Sequence, residues 1–186
     1  MEIYAEDKTF ARIDNLESGE YENCIFQHCN FAESDFSGFK FIDCRFESCN
    51  FSLITLHNTT FREVIFKSCK MLGLRFECCN PFGLSFTFTD CLLTHSSFYK
   101  LKIKKTVFKD SQLQEVDFTQ TDVTGGVFDN CNLAQAVFDS SVLLKADFRS
   151  AYNYSIDPDI NQITKAKFSI SGLAGLLYKY NIHIEE

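Results

Sequence analysis

The chain has 186 residues, 45% of them hydrophobic, which suits one packed domain and excludes a disordered polymer. Aromatic content is 15%, with 21 phenylalanines and no tryptophan, so one structural slot is being refilled many times. The formal charge of −7 argues against direct nucleic-acid binding, and no apolar run reaches the roughly 18 residues of a membrane span.

The first 22 residues are acidic, with seven carboxylates against two cations, and lack the charged-then-apolar pattern of a signal peptide. A cytoplasmic location is expected, and with it nine reduced cysteines. From Tyr21 a period of five takes over. Phe26, Phe31, Phe36, Phe41, Phe46 and Phe51 follow, then Leu56, Phe61, Phe66, Met71 and Phe76. Neither a helix nor a flat strand has this period. With the aromatic or apolar residue designated i, position i−2 is mostly small, as at Cys24, Cys29, Ser34, Cys44, Cys49, Thr59 and Cys69. Position i−1 is often Asp or Asn, and i+1 and i+2 are mostly polar. Two residues in five therefore point inward. A chain that turns a corner after each five does this, and four such faces close a square coil of about 20 residues, stacked about 4.8 Å apart through parallel ladders.

The register slips by two residues within "NPFGLS", residues 80–85, where Pro81 falls on an i position and cannot donate to a ladder. Pro81, Phe82 and Gly83 then form a bulge, read either as a tolerated insertion or as a contact loop on a smooth rod. The pattern resumes at Phe88 and runs through Leu93, Phe98, Ile103, Phe108, Leu113, Phe118, Val123, Phe128, Leu133, Phe138, Leu143 and Phe148. With 20 residues per coil, Phe26, Phe46, Phe66, Phe88, Phe108, Phe128, Phe148 and Phe168 line one wall. Phe36, Leu56, Phe76, Phe98, Phe118 and Phe138 line the opposite one. Lys100, Lys102, Lys104, Lys105 and Lys109 form a basic patch suited to solubility and edge protection, or to a partner's acidic surface.

Residues 110–162 reverse the sign, with nine carboxylates against two cations. Asp110, Glu115, Asp117, Asp122, Asp129, Asp139 and Asp147 are the candidate partner-binding acids. On a solenoid this stretch spans about 13 Å, over which B-DNA presents roughly 7 or 8 charges. Either a solvated surface or a surface that imitates DNA fits that density. In "SAYNYSIDPDINQ", residues 150–162, the apolar residues expected at 153 and 158 are missing, and Ile163 and Phe168 return to register, so one irregular coil turns near Asp157-Pro158. Beyond it, Ser171 is placed to cap a short helix over residues 172–180, with Leu173, Leu176, Leu177 and Tyr180 on one face, as a solenoid cap or as a dimer interface.

Enzymatic chemistry is not expected. His28, His57 and His95 fall on outward positions at scattered heights, and no phosphate loop or metal motif is present. No cofactor is implied. Eight cysteines sit at i−2, where small buried residues belong, and Cys78 alone is outward.

"AVFDS", "KADFRS" and "CNLAQ" are variants of the loose A(D/N)LXX pattern, and the chain resembles the pentapeptide repeat family over about residues 16–168. The resemblance implies a right-handed quadrilateral β-helix with a short C-terminal α-helix, here residues 1–170 and 171–186. "SIDPDINQITKAKFSISGLAGLLYKY" is similar to the C-terminus of the quinolone-resistance (Qnr-type) branch. That likeness implies a tail-to-tail homodimer that imitates duplex DNA, binds a type II topoisomerase such as DNA gyrase, and protects it from quinolones. The chain departs from the branch in having no long loop, and its lysine patch interrupts a uniform mimic. A generic protein-interaction scaffold with another partner is the alternative.

Overall fold

The computed structural model describes residues 3–185. Each five-residue unit runs extended through i−1 and i, some also through i+1, and turns at i+2. His28, Glu33, Asp43, Ser48, Leu53, Lys105, Asp110, Glu115 and Gln120 all occupy this corner with φ between 50° and 61°. Left-handed backbone costs a non-glycine residue roughly 1–2 kcal/mol, so the core must repay a strained corner in almost every repeat.

Where the extended part is long enough, it forms named strands. These are β1 (Ile3–Glu6), β2 (Thr9–Ala11), β3 (Gly19–Glu22), β4 (Ile25–Gln27), β5 (Lys40–Ile42), β6 (Arg45–Glu47), β7 (Thr60–Arg62), β8 (Val64–Lys67), β9 (Phe86–Thr89), β10 (Val107–Lys109) and β11 (Val127–Asp129). They make two wholly parallel sheets, β1-β3-β5-β7 and β2-β4-β6-β8-β9-β10-β11 in spatial order. Phe26 pairs with Phe46 and Phe46 with Phe66, whereas Phe66 pairs with Phe88, so one coil is longer by two residues. The other two walls are held by isolated parallel bridges, such as Asn30 to Asn50 and Ser97 to Asp117. The result is a parallel β-solenoid with four walls, named here for Phe26, Phe31, Phe36 and Phe41. The solenoid also starts earlier than the repeat does in the sequence. β1 pairs with β3 and β2 with β4, so a shorter coil precedes Tyr21.

The Phe26 wall carries an unbroken column of stacked rings, from Phe10 through Phe26, Phe46, Phe66, Phe88, Phe108, Phe128 and Phe148 to Phe168. Successive centroids lie 4.5–5.4 Å apart with interplanar angles of 5–14°. On the Phe36 wall, Phe76, Phe98, Phe118 and Phe138 form a second column. The columns meet edge to face, as for Phe108 with Phe118 at 5.9 Å and 82°. This geometry suits the ring quadrupoles, and the remaining walls close the core with Leu113, Val123, Leu133 and Leu143.

The slip differs from the sequence reading. Pro81 does not occupy a core position; it is exposed, as are Phe82 and Gly83. Leu84 and Phe86 are buried in its place. Phe86, unusually large for an i−2 residue, reaches Phe61, Phe76, Phe88 and Phe98 and fills the gap. In the last coil Tyr154 and Ile156 are buried and supply the core residues missing at 153 and 158. The C-terminal helix is shorter than expected: α1 spans Ala174–Leu177 and continues as a 3-10 turn, Tyr178–Tyr180. Ser171 makes no side-chain cap to it; the Ser169 hydroxyl accepts from the Gly172 amide instead, at 3.1 Å. No helix among the described residues is long and apolar enough to cross a membrane.

Phe108→Ala should lower the unfolding free energy by about 3–5 kcal/mol in a urea titration, because the column cannot collapse around the cavity. Gln120→Gly, at an exposed corner of φ 55°, should raise it by up to about 1 kcal/mol.

Candidate functional site

The polar i−1 residues have a structural task. Asp or Asn there commonly accepts the backbone N–H two residues on, as an Asx turn does: Asp35 from Ser37, Asn50 from Ser52, Asp117 from Thr119, Asp122 from Thr124, Asn132 from Ala134 and Asp147 from Arg149. The i−2 residues have another. Their hydroxyls or thiols donate to the carbonyl of an i residue one coil earlier. Thr59 bonds Phe36, Thr121 bonds Phe98 and Ser141 bonds Phe118 at 2.7–2.8 Å; Cys49 and Cys69 bond Phe26 and Phe46 at 3.4 Å. Asn161 takes the same role, donating to Phe138 at 2.9 Å while its own oxygen receives the Ser141 amide. Smallness at i−2 was legible in the sequence, but this donor role was not. All nine cysteines are free thiols. Burial pushes Cys44 and Cys131 up to about 12, so they remain protonated at neutral pH. Among the described residues no group of His, Cys, Asp and Glu is placed to hold a metal ion.

These tasks divide the candidate acids. Asp117, Asp122 and Asp147 sit at i−1 and hold turns. Burial alone would raise the Asp122 pKa, but the Thr124 hydroxyl and amide, with Lys104 at 3.2 Å, outweigh it and hold the carboxyl below its usual range. Arg149, at 2.7 Å, is the main cause of a lowered pKa at Asp147, which Lys167 also approaches. Asp110, Glu115, Asp129 and Asp139 lie instead at i+1 or i+2 and hold no turn of this kind. Asp110 accepts from Asn130, Asp129 from Ser150, Asp139 from Ser140, and Glu115 faces His95 at 3.2 Å. The seven acids do not share one wall. Asp129 and Asp147 lie on the Phe26 wall, Asp117 and Asp139 on the Phe36 wall, Asp122 on the Phe41 wall, and Asp110 and Glu115 at corners, so the negative charge wraps the C-terminal coils.

The C-terminal segment lies close over Tyr154. A Cβ at Gly172 or Gly175 would collide with its hydroxyl or carbonyl oxygen. The Ile156 amide donates to Gly175 at 2.9 Å, and the Lys179 ammonium bridges Asp157 and Asp159. Leu176 packs against the core, whereas Leu173, Leu177 and Tyr180 are exposed beside Ile170, which is 91% exposed.

The lowered pKa values of Asp122 and Asp147 give a pH signature. Stability from these groups is complete above the ordinary carboxyl range, near pH 4, and is lost as pH falls through their depressed values. The urea midpoint should therefore drop below about pH 4. Asp122→Asn with Asp147→Asn, which can keep the turn bonds but cannot titrate, should make that limb shallower, with Asp35, Glu47 and Asp157 supplying the remainder.

The pentapeptide repeat family model matches in eight copies over residues 22–52 and 117–152. No curated protein matches the chain. Among solved structures, full-length QnrB1, described as a plasmid-mediated fluoroquinolone resistance protein, is 16% identical, with 95% of this chain and 100% of that one covered and a TM-score of 0.58. A trypsin-treated QnrB1 variant is 18% identical, covering 98% and 100%, with a TM-score of 0.50. The repeats, the four-walled solenoid and this likeness agree on the fold: the chain carries pentapeptide repeats over residues 22–52 and 117–152 and has the overall fold seen in QnrB1.

Proposed function

We propose that the chain is a non-enzymatic DNA mimic that binds a type II topoisomerase of the gyrase kind and shields it from fluoroquinolones. The observation that carries this reading is the set of carboxylates at Asp110, Glu115, Asp129 and Asp139, which leave the turns to other residues and line the C-terminal coils. The rod's stacked core holds them at coil spacing, so little ordering cost falls on binding. QnrB1, which shares the fold, is a fluoroquinolone resistance protein. The exposed Leu173, Leu177 and Tyr180 join two rods through their C-terminal ends, and this lengthens the anionic surface across the dyad.

In a DNA supercoiling assay with purified gyrase, the protein should inhibit the enzyme or relieve fluoroquinolone inhibition. Asp110→Asn, Glu115→Gln, Asp129→Asn and Asp139→Asn together should abolish the effect while leaving the unfolding free energy within about 1 kcal/mol of wild type. No effect of the wild-type protein at tens of micromolar would favour the scaffold alternative. In sedimentation velocity the protein should run as a dimer, and Leu173→Glu with Leu177→Glu should give a folded monomer.

A further inference from the structure

The geometry points to a second docking surface, on the Phe41 wall at the register slip, for an acidic segment of a partner protein that also carries apolar side chains. It is independent of the anionic C-terminal coils. Phe82 is 77% exposed, yet it is not a loose side chain on a floppy loop. The Phe82 amide donates to the Asn80 side chain at 3.0 Å, Gly83 turns the chain with φ +69°, and the Arg62 guanidinium lies over the Phe82 ring at 5.9 Å. With its backbone held in this way, the segment need not be ordered when the ring is buried, as suits an aromatic anchor at an interface.

The surroundings specify the partner. A groove of about 560 Å³ opens where the slip interrupts the corner between the Phe41 and Phe26 walls. Ile65 is the exposed apolar residue of its floor, over the buried Val64 and Phe86, and one rim is Lys104 and Lys105. Of the nearby cations, Arg62, Lys102 and Lys105 have no carboxylate within ion-pair distance among the described residues. The opposite rim is Asp43 and Glu63, with the Ser85 hydroxyl bonded to Glu63 at 3.1 Å. A uniform polyanion such as a nucleic-acid backbone would meet those two carboxylates, and Glu20 and Glu22 further along the wall. A short peptide can instead place its carboxylates on the lysine rim and an apolar side chain on the floor. Charge complementarity and the apolar floor together therefore favour an acidic protein segment.

The test is selection of phage-displayed random peptides on the immobilised full-length protein, followed by fluorescence polarisation of the synthesised winners. Peptides rich in Asp and Glu with an apolar residue should emerge, with binding that weakens as salt rises. Phe82→Ala should weaken them about tenfold or more, as should Lys102→Glu with Lys105→Glu. Asp129→Asn with Asp139→Asn should leave them unchanged, which separates this surface from the topoisomerase reading. Selection of neutral or basic peptides, or indifference to Phe82→Ala in a protein with wild-type urea midpoint, would overturn the proposal. So would tight binding of a labelled oligothymidylate lost in the lysine variant, or a concentration-dependent self-association lost in Phe82→Ala.

Discussion

Everything in this molecule depends on one ring lying flat on the ring a coil before it. The parallel ladders set the height of each coil at about 4.8 Å, and the column from Phe10 to Phe168 fills that height with one ring per coil. Strained corners at i+2 would not persist in an isolated pentapeptide. They persist here because each closes a coil whose inward side chain finds a partner above and below. The aromatic at i is thus both the reason for the period and the energy source that tolerates its cost.

Around that column, short polar side chains complete the backbone's hydrogen bonding. Thr121 and Ser141 add a second bond to the Phe98 and Phe118 carbonyls, which already accept turn amides, and Asp117 and Asp147 secure the turn amides. This has a consequence for function. An aspartate in a pentapeptide repeat is not automatically a surface charge awaiting a partner. Position within the five separates the residues that build the rod from those that decorate it. Asp110, Glu115, Asp129 and Asp139 belong to the second group, as do Arg62 at i+1 and Lys105 at i+2 elsewhere on the rod. One rod can therefore present two surfaces of opposite sign without either disturbing the core.

The coil and its core were legible in the sequence because a five-residue period with a constant inward slot admits few closed solutions. The Phe26 column could be written down to Phe168. Where the period failed, so did the reading. Pro81 holds the right position in the count but lies outside, since Phe86 offers far more apolar area to the same space. The coil before Tyr21 was missed because it is four residues shorter than the others, as the pairing of Phe10 with Phe26 shows. The cap at Ser171 was misplaced because the segment is set by contact with Tyr154, which local propensity does not encode. The candidate acids were found by counting charge, but their distribution over several walls needed the coil geometry.

The most direct test of the account is competition for gyrase between this protein and a fluorescently labelled DNA duplex, read by anisotropy. The mimic reading predicts that the rod displaces the duplex, and that the variant lacking the four carboxylates at 110, 115, 129 and 139 does not. A rod that binds gyrase while the duplex stays bound, or that displaces it equally well without those carboxylates, would contradict it.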